Sequence, residues 1–242
     1  MTEFEGRTIL VTGAAGGIGG AIVRQLAAAG ADVIASGRTQ EDLEPIVAET
    51  GCRALPFDLT SEDEIAAALA DVDLWGLVNC GGFGGEIATP METDISVFDQ
   101  VMAINARGTL LVTKYAARTL IRLGAGGAIV NVSSQASLVA LPNHVSYAAS
   151  KAAVDSITRV SALELGPYGI RVNSVHPTVV MTEMSEFYWG RPEIGGPFLE
   201  QMPLGRWATQ DDVAGPVVFL LSDASSMISG AHLPIDGGYT CR

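Results

Sequence analysis

Ile9-Leu10-Val11-Thr12-Gly13-Ala14-Ala15-Gly16-Gly17-Ile18-Gly19 is the stretch of sequence that decides the fold. Its aliphatic start predicts a buried strand, and its glycine-rich second half leads into a pattern typical of a helix. Without side chains, Gly13, Gly17 and Gly19 allow the backbone to approach a pyrophosphate, and free N–H groups at a helix start attract its charge. The spacing is G-x-x-x-G-x-G rather than G-x-G-x-x-G, so a purely structural glycine turn is the alternative. The position between a first strand and a first helix favours a dinucleotide-binding loop.

Strand-like runs alternate with helical patterns along the whole chain. The strand-like runs cover residues 8–11, 32–35, 53–57, 74–79, 128–133, 171–175 and 232–235. The helical patterns cover residues 17–29, 41–49, 61–70, 98–123, 147–165 and 211–220. Because strands that alternate with helices form βαβ crossovers, the sequence predicts an α/β fold. We expect a single-domain Rossmann-type, doubly wound, seven-stranded parallel sheet flanked by helices over residues 1–242.

One segment interrupts this alternation. Residues 178–205 contain glycine or proline at positions 190, 192, 195, 196, 197 and 203, and the consecutive aromatic residues Phe187, Tyr188 and Trp189. An irregular insert of this length is usually functional, and its place after the sixth strand puts it at the carboxyl edge of the sheet. We therefore expect a substrate lid at 178–205, with a mere surface excursion as the alternative.

The composition disfavours several classes of partner. The 242 residues carry 14 basic and 27 acidic side chains, a formal net charge of −13, without a basic cluster. Nucleic acids and anionic membranes are therefore not expected as partners, and the apolar run at 213–221 is too short to span a bilayer. Cys52, Cys80 and Cys241 show neither metal spacing nor a disulfide framework, and the acidic N-terminus lacks the order of a signal peptide. We expect a soluble, cytoplasmic protein with reduced thiols.

Tyr147 and Lys151 lie four residues apart and hence on one face of a predicted helix. A cation beside a phenol favours the phenolate, which makes the phenol usable as an acid and base near neutral pH. The pair alone is a weak signal, but Ser134 ends the fifth predicted strand, where a hydroxyl can donate to a substrate oxygen. Taken alone, Ser133-Ser134 indicates turn chemistry. Together with the glycine loop, these residues predict a nicotinamide-dependent alcohol/carbonyl oxidoreductase.

The end of the second predicted strand decides between two nicotinamide cofactors. A carboxylate at this point would bind the ribose 2′-hydroxyl of NAD and repel a 2′-phosphate. The chain instead reads Ser36-Gly37-Arg38-Thr39. Arg38 can bind the 2′-phosphate as a fork, aided by the hydroxyls of Thr39 and Ser36. We therefore expect NADP, with a merely solvated Arg38 as the alternative.

Two further strand ends face the predicted cofactor. Asp58 is expected to meet the adenine amino group with Leu59 beside the ring, and a helix N-cap role for Asp58 or Thr60 is the competing explanation. Asn79-Cys80-Gly81-Gly82 ends the fourth predicted strand, and its small residues would let the backbone pass under the cofactor ribose. Whether Asn79 contacts the cofactor or only pins neighbouring strands stays open.

The remaining polar residues carry weaker signals. Taken singly, Gln135, Asn143 and His144 are expected to be loop residues rather than ligand contacts. His176 and His232 have no partner at metal-site spacing, so both are interpreted as structural and no metal is expected. A Ser-His-Asp hydrolase would need a G-x-S-x-G elbow, which the sequence lacks.

With these residues quoted, the chain resembles the short-chain dehydrogenase/reductase family from residue 6 to residue 239. The likeness lies in residues 12–19, 79–82, Asn105, Ser134, Tyr147 with Lys151, and 177–182. The resemblance implies that Tyr147 is the acid/base, that Lys151 holds the nicotinamide ribose, and that Ser134 binds the substrate oxygen. It further implies that Asn105 keeps a water connecting Lys151 to solvent. The cofactor contacts implied are Gly13, Gly17, Ile18, Gly19, Arg38, Thr39, Asp58, Leu59, Asn79, Gly81, Tyr147, Lys151, Pro177, Val180 and Thr182.

Within that family, the chain is most similar to the group of L-xylulose reductases, also called dicarbonyl reductases. The segments that carry this likeness are 38–40, 42–43, 131–135, 143–144, 162–167, 177–182 with Met184, 204–205 and 220–223. In that group, residues matching Gln135, His144 and Trp189 line the substrate pocket together with the catalytic serine and tyrosine. The resemblance implies NADPH-linked reduction of a small ketose or vicinal dicarbonyl, reversibly with polyols. The group's glycine-loop lysine is Gly16 here, which leaves Arg38 as the lone cation for a 2′-phosphate.

Two rival functions stay open. One is an NAD-dependent dehydrogenase that oxidises a polyol or secondary alcohol, and the other is a non-catalytic dinucleotide sensor or scaffold on the same fold. The family likeness also implies a homotetramer built on the long helices over 98–123 and 147–165 and on the C-terminal strand.

Overall fold

Seven parallel strands form one sheet at the centre of the protein. The computed structural model describes residues 3–241, without the side chains of residues 183 and 184. The strands are β1 (Thr8–Thr12), β2 (Asp32–Ser36), β3 (Arg53–Ala54), β4 (Gly76–Asn79), β5 (Gly127–Val132), β6 (Ile170–Pro177) and β7 (His232–Ile235). Their order is β3-β2-β1-β4-β5-β6-β7, and all neighbouring pairs are parallel. The strand order reverses between β1 and β4, where folds of this type bind ligands beyond the carboxyl ends of the strands. The predicted fold class is confirmed.

The third strand is shorter than the sequence predicts. β3 covers Arg53–Ala54, whereas the prediction extends over 53–57. Pro56 has no N–H to donate to a ladder, and β3 lies at the edge of the sheet. The chain nevertheless stays alongside β2, because the N–H groups of Leu55 and Phe57 donate to backbone oxygens at the end of β2, at 2.9 and 3.0 Å.

Nine α-helices within residues 3–241 flank the sheet. They are α1 (Gly17–Ala28), α2 (Gln40–Thr50), α3 (Glu62–Leu69), α4 (Ile95–Val101), α5 (Gly108–Leu123), α6 (Val145–Leu165), α7 (Glu183–Trp189), α8 (Pro192–Leu199) and α9 (Gln210–Leu221). A π-helical turn, Met102–Arg107, joins α4 to α5, so the helix predicted over 98–123 is continuous but widened in its middle. Such turns frequently occur at functional sites. Among the described helices, none combines the length and the apolar character needed to cross a bilayer.

The central strand β1 buries side chains on both faces of the sheet. Ile9 and Val11 lie in a core cluster with Ile22 of α1, while Leu10 lies in a second cluster with Leu120 of α5. All five side chains are at most 1% exposed. Burial of each such side chain stabilises the fold by about 1.5–3 kcal/mol, before the entropy of ordering it is counted. The two clusters fix the sheet between two helical layers and hence fix the strand ends that carry the site.

The segment over 178–205 is more regular than predicted, because it contains the helices α7 and α8. The hydroxyl of Ser185 accepts the N–H of Thr182 at 2.8 Å, which caps the start of α7. Pro192 lies in the first turn of α8, where a missing N–H costs nothing. Of the glycines and prolines that suggested an irregular insert, Gly190 and Pro192 lie at helix ends, whereas Gly195, Gly196 and Pro197 lie inside α8. A side chain on Gly195 would overlap the carbonyl oxygen of Trp189, so close packing of the helices requires this glycine.

Candidate active site

The turn between β1 and α1 is shaped to accept an anionic group. Gly13 has a φ of +67°, and a Cβ there would meet the Gly81 backbone at 2.7 Å. A Cβ on Gly19 would overlap the carbonyl oxygen of Gly13. Gly16 is the N-cap residue of α1 and has no side chain that could satisfy the free N–H groups of the first turn. These N–H groups and the helix dipole leave the turn suited to bind a phosphate.

The segment after β6 reaches this turn. A Cβ on Gly17 would lie 2.9 Å from Thr182 Cγ2 and 2.8 Å from Gln210 Nε2. Of the predicted cofactor contacts, Pro177 ends β6, Val180 is buried three residues later, and Thr182 lies against the glycine turn. Gln210, the first residue of α9, carries no motif, so sequence reasoning did not identify it.

Helix α6 carries Tyr147 and Lys151 one turn apart. The Nζ atom of Lys151 lies 5.6 Å from the centroid of the Tyr147 ring. Lys151 is only 5% exposed, and its ammonium donates to the carbonyl oxygen of Val132, at the end of β5, at 2.8 Å. Because a buried charge requires a hydrogen-bonding partner, this contact fixes the ammonium next to the phenol.

Asn105 lies fully buried in the π-helical turn and connects three segments. Its Nδ2 donates to the Phe83 carbonyl oxygen at 2.9 Å and to Ser150 Oγ at 3.0 Å. Its Oδ1 accepts the Phe83 N–H at 2.7 Å. A Cβ on Gly82 would lie 3.3 Å from Asn105 Oδ1 and 3.5 Å from Lys151 Nζ, so these two side chains border the same small space.

Ser134 lies two residues beyond β5, and its hydroxyl oxygen accepts the Ala136 N–H at 3.1 Å. This contact is turn chemistry, and it leaves the hydroxyl hydrogen free to be donated. The loop is tied to α6 by Ser133, whose hydroxyl lies 2.6 Å from Asp155 Oδ1 and 3.2 Å from the Lys151 carbonyl oxygen. The four predicted catalytic residues therefore lie at the carboxyl edge of the sheet, on segments that hydrogen bonds connect.

The end of β2 carries no acidic side chain. Ser36 is buried, Arg38 is exposed, and Thr39 is the N-cap residue of α2, where its hydroxyl accepts a backbone N–H at 3.1 Å. Hydrogen bonds from Thr60, and then the charge of the Arg38 guanidinium, hold the pKa of the Asp58 carboxyl below its usual range. An exposed guanidinium at this position is free to contact a ligand.

Asp58 closes a turn rather than capping a helix. Its Oδ1 accepts the N–H and the hydroxyl of Thr60 at 2.7 and 2.8 Å. The N-cap residue of α3 is Ser61, so the competing N-cap explanation for Asp58 or Thr60 is wrong. Leu59 packs against the glycine segment after β4, because a Cβ on Gly81 would lie 2.7 Å from Leu59 Cδ1. Leu59 therefore borders the segment after β4, and Asp58 directly precedes it in the sequence.

Asn79 pins neighbouring elements. Its Nδ2 donates to Asn131 Oδ1 at 2.8 Å and to Thr113 Oγ1 at 3.0 Å, which joins β4 to β5 and α5. The segment that follows approaches the glycine turn directly, since the Thr12 hydroxyl accepts the N–H groups of Cys80 and the next residue at 3.1 Å. Burial raises the pKa of Cys80 to about 11, so its thiol stays neutral.

His144 and Trp189, two of the predicted substrate residues, are stacked with their ring centroids 5.8 Å apart. The Nδ1 of His144 lies 2.6 Å from the Pro142 carbonyl oxygen, so Nδ1 is the donor and Nε2 remains an acceptor in the neutral ring. Burial lowers the pKa of His144, which favours this neutral form. Gln135 is 3% exposed, and its Oε1 is buried without a hydrogen-bond partner among the described residues.

The aromatic wall around Trp189 extends farther than predicted. Phe198 of α8 lies 4.7 Å from Trp189 and 4.7 Å from Tyr239, measured between ring centroids, and 5.9 Å from Trp207. Helix α8 is thereby packed against the C-terminal segment. The sequence predicts no relation among these residues, because Trp189 belongs to α7, Phe198 to α8, and the other two to the segments before α9 and after β7.

A buried cluster of Asp155, His176 and His232 was also missed. The two histidines are interpreted above as structural because neither has a partner at metal-site spacing in the sequence. Parallel pairing of β6 with β7 and the packing of α6 bring the three side chains together, and no local motif signals that contact.

A phenol beside an ammonium, a donor hydroxyl and a phosphate-binding turn define an alcohol/carbonyl oxidoreductase on a Rossmann-type fold. The family profile described as Enoyl-(Acyl carrier protein) reductase matches residues 13–240. L-xylulose reductase of Bos taurus is 43% identical over 238 residues, which cover 98% of each protein. D-threitol dehydrogenase of Mycolicibacterium smegmatis is 40% identical over 252 residues, covering 99% of this chain and 95% of that protein. The solved structure of a short-chain type dehydrogenase/reductase from Mycobacterium ulcerans matches with a TM-score of 0.96 and 35% identity, covering 99% of this chain and 92% of that one.

The chain belongs to the short-chain dehydrogenase/reductase family, as the resemblance implied. It is an oxidoreductase that interconverts alcohols and carbonyls with an NAD(P) dinucleotide, and it is related to L-xylulose reductases and polyol dehydrogenases.

Proposed function

We propose that the protein is an NADP(H)-dependent reductase of a small ketone, ketose or vicinal dicarbonyl, acting reversibly on the corresponding alcohol. The observation that carries the proposal is the connected set of Ser134, Tyr147, Lys151 and Asn105 at the carboxyl edge of the sheet. The similarity to L-xylulose reductases over nearly the whole chain supports the substrate class.

Each residue of this set has a separate task. A bound nicotinamide would supply a hydride to the carbonyl carbon in reduction, or accept one from the alcohol carbon in oxidation. Tyr147 donates its phenolic proton to the carbonyl oxygen, and Ser134 donates a hydrogen bond that orients and polarises that oxygen. Lys151 holds the nicotinamide ribose and favours the phenolate that remains after proton transfer. Asn105 borders the space beside the Lys151 ammonium and keeps a water there, through which the proton is replaced.

The residues at the glycine turn fit a dinucleotide. The first turn of α1 offers free N–H groups to a pyrophosphate, and Gly13, Gly17, Ile18 and Gly19 supply the close backbone approach. The adenine half would lie near Asp58 and Leu59, and the ribose half over the segment that begins at Asn79 and includes Gly81. Pro177, Val180 and Thr182 would flank the nicotinamide end.

The preference for NADP over NAD depends on Arg38. Arg38 is exposed just after β2, and the hydroxyl residues Ser36 and Thr39 lie close to it in the sequence. This strand end carries no carboxylate that would repel a 2′-phosphate. We expect Arg38→Asp to reverse the preference, measured as the ratio of kcat/KM for NADPH and NADH. Gly16→Lys adds a second cation where a Cβ meets its nearest neighbour at an ordinary 3.4 Å, so it should strengthen the preference. An unchanged ratio in both variants would contradict the role of Arg38.

The substrate would lie between the catalytic set and the aromatic wall. The unpartnered Oε1 of Gln135 and the free Nε2 of His144 are acceptors for substrate hydroxyl groups, and Trp189 supplies an apolar face. A polyhydroxy ketone offers the hydroxyl donors that such acceptors require.

Tyr147→Phe tests the mechanism. It removes the proton donor but keeps the ring, so we expect cofactor affinity within about threefold of the wild type and turnover lower by about 10³-fold or more. The assay follows NADPH absorbance with L-xylulose and with diacetyl, and cofactor affinity is measured by protein fluorescence. Full activity of the variant would overturn the mechanism.

The second candidate is an NAD-dependent dehydrogenase that oxidises a polyol or secondary alcohol. The similarity to D-threitol dehydrogenase and the glycine at position 16 favour it. Turnover with NAD⁺ and a polyol far above turnover with NADPH and L-xylulose would establish this candidate. Binding of dinucleotide without turnover of any carbonyl or alcohol in a broad panel would establish a non-catalytic sensor.

The assembly expected from the family is a cytoplasmic homotetramer. Leu163 and Val160 of α6 are 79% and 50% exposed, and Leu110 of α5 is 49% exposed, so both long helices present apolar side chains to solvent. Light scattering at micromolar concentration should give the mass of four 25.2 kDa chains, and a monomeric mass would refute the assembly.

A further inference from the structure

Three ligand-type atoms from three elements converge behind the loop that carries Ser134. His176 Nε2 lies 3.1 Å from His232 Nδ1, and Asp155 Oδ1 lies 3.5 Å from the first and 3.8 Å from the second. His176 and Asp155 are at most 4% exposed, and the side chain of His232 is 20% exposed. The cluster is thus buried but has one side near solvent.

The three distances agree with the spacing of ligands around one ion, and in the metal-free protein Asp155 Oδ1 accepts the Ser133 hydroxyl at 2.6 Å. At 3.5 and 3.8 Å, Asp155 is too far from either ring nitrogen for a hydrogen bond. A triangle with these three sides has a point about 2.0 Å from every corner, which is the length of a bond from zinc to imidazole nitrogen or carboxylate oxygen. An ion slightly to one side of that plane would lie within bonding distance of all three atoms and keep a fourth position, and a second lone pair of Asp155 Oδ1 could still accept the Ser133 hydroxyl.

The hydrogen bonds of His176 Nδ1 determine which ring nitrogen keeps the lone pair that an ion needs. Its Nδ1 lies 3.2 Å from the Ser134 carbonyl oxygen and 3.1 Å from Ser137 Oγ. The Ser137 hydroxyl hydrogen is donated to that same carbonyl oxygen at 2.7 Å, so Nδ1 must be the donor in both contacts. The neutral ring then presents its lone pair at Nε2, toward the cluster. A backbone carbonyl that holds the second nitrogen is the usual support of a metal-binding histidine.

We propose that Asp155, His176 and His232 bind one transition-metal ion with a preference for imidazole, of which Zn²⁺ is the representative. Two imidazoles and one carboxylate suit zinc and its neighbours, whereas Mg²⁺ and Ca²⁺ prefer oxygen ligands throughout. The Ser174 hydroxyl, 2.9 Å from His176 Nε2 and 3.0 Å from His232 Nδ1, lies beside the fourth position.

The ion would stabilise the fold rather than take part in the redox chemistry. It would join α6, β6 and β7, and through His176 it would hold the carbonyl group of Ser134. The proposal is independent of the proposed substrate and cofactor preference, because none of the three ligands is assigned a task in hydride or proton transfer.

One contact competes with the ion. Arg159 Nη1 lies 3.2 Å from His232 Nε2, and a guanidinium can only donate. In the metal-free protein, this contact places the His232 proton on Nδ1, so the proton must shift to Nε2 and Arg159 must move away when an ion binds. Arg159→Gln replaces the obligatory donor by an amide whose oxygen can accept from Nε2–H. This variant should bind the ion more tightly than the wild type.

The test uses the full-length protein, freed of metal by a chelator, and Co²⁺ as a visible probe. One equivalent of Co²⁺ should produce the strong absorption of a tetrahedral site, and one equivalent of Zn²⁺ should abolish it. Zn²⁺ at 100 times its Kd should raise the Tm by about 5–10 °C. His176→Asn and His232→Asn should each weaken binding by at least about 100-fold. His144→Asn, which changes the third histidine of the chain, should bind as the wild type does.

Three results would overturn the proposal. They are the absence of tetrahedral Co²⁺ absorption in the wild type, equal binding by the His232→Asn protein, and loss of binding in the His144→Asn protein. Weaker rather than tighter binding by Arg159→Gln would also count against it, because the geometry requires Arg159 to compete. Circular dichroism of the metal-free variants separates loss of a ligand from loss of the fold.

Discussion

Asn105→Ala should weaken both the fold and catalysis, and the two effects can be separated. The side chain is fully buried and makes three hydrogen bonds, two with the backbone of Phe83 and one with Ser150. Alanine leaves the Phe83 N–H and carbonyl oxygen without these partners in an enclosed space. Both a structural and a positioning role therefore depend on one amide group.

The size of the stability loss follows from those contacts. Each net hydrogen bond contributes about 1 kcal/mol, and a buried backbone group left unpaired adds to the loss, so we expect about 3–4 kcal/mol. For a chain of this size, 1 kcal/mol corresponds to about 2–4 °C in Tm. The variant should consequently melt about 10 °C below the wild type, at equal protein concentration because assembly also affects Tm.

Asn173→Ala is the matched control. Asn173 is also fully buried, and its side chain also both donates to and accepts from the backbone. Its Nδ2 donates to the Ile228 carbonyl oxygen at 2.8 Å, and its Oδ1 accepts the Ala231 N–H at 3.0 Å. It lies in β6, and its two bonds connect this strand to the segment before β7. Its removal should lower stability by about 2–3 kcal/mol, slightly less than Asn105→Ala, and leave kcat at 25 °C near the wild-type value.

The difference in kcat between the two variants tests the positioning role. Loss of a hydrogen bond that organises proton replacement at Lys151, at about 1.4 kcal/mol, corresponds to about tenfold in rate. The decisive assay is kcat as a function of pH for both variants, at a temperature where circular dichroism shows both to be folded. A kcat for Asn105→Ala equal to that of Asn173→Ala would refute the positioning role. An unchanged Tm would refute the structural one.

Three further outcomes are expected. Gly19→Ala should abolish dinucleotide binding, measured by fluorescence titration, because its Cβ would overlap the Gly13 carbonyl oxygen; wild-type affinity would contradict this geometry. At pH 8 the exposed Cys241 should react with iodoacetamide at least about 100-fold faster than Cys80, whose pKa burial raises to about 11; equal rates by mass spectrometry would disprove the enclosure of that thiol. Hydrogen bonds from Arg206 lower the pKa of Asp212 below its unfolded value of about 4, so its stabilisation is complete above that value and lost as pH falls. The Tm difference between wild type and Asp212→Asn should therefore be widest at pH 7 and narrow below pH 4, and a constant difference would exclude the ionic contribution.

The sheet was predictable because its signals are local. Each strand is a short apolar run between helical patterns, and the parallel arrangement follows from that alternation alone. The errors occur where a local signal has two meanings. Pro56 shortened β3 against expectation, and the glycines and prolines around residue 192 lie at helix ends or inside α8 rather than in an irregular loop.

Strand ends and helix spacing select Ser134, Tyr147 and Lys151 as candidates, and only the family resemblance adds Asn105, Gln135, His144 and Trp189. Neither source predicts the hydrogen-bond partners of these residues. The sequence left open whether Asn79 contacts a cofactor or pins strands, and the bonds to Asn131 and Thr113 now show the pinning. The interpretation of His176 and His232 as structural stays a prediction, and the sequence did not predict that they contact each other, for the same reason. Their contact depends on the register that pairs Ser174 with His232 across two strands, and no single segment encodes this register.

The pinning role of Asn79 has a consequence for the distance between the two halves of the site. Asn131 passes the chain of hydrogen bonds onward, because its Nδ2 donates to Thr158 Oγ1 at 2.8 Å, and that hydroxyl donates to the Val154 carbonyl oxygen at 2.9 Å. A continuous line of buried polar groups thus runs from α5 through β4 and β5 to α6, two turns after Lys151. The Nδ2 atoms of Asn79 and Asn131 and the Thr158 hydroxyl each donate within this line, so none can move without leaving a buried donor unsatisfied. The spacing between the cofactor-side strand ends and the catalytic helix is therefore set by polar bonds within the core and not by apolar packing alone.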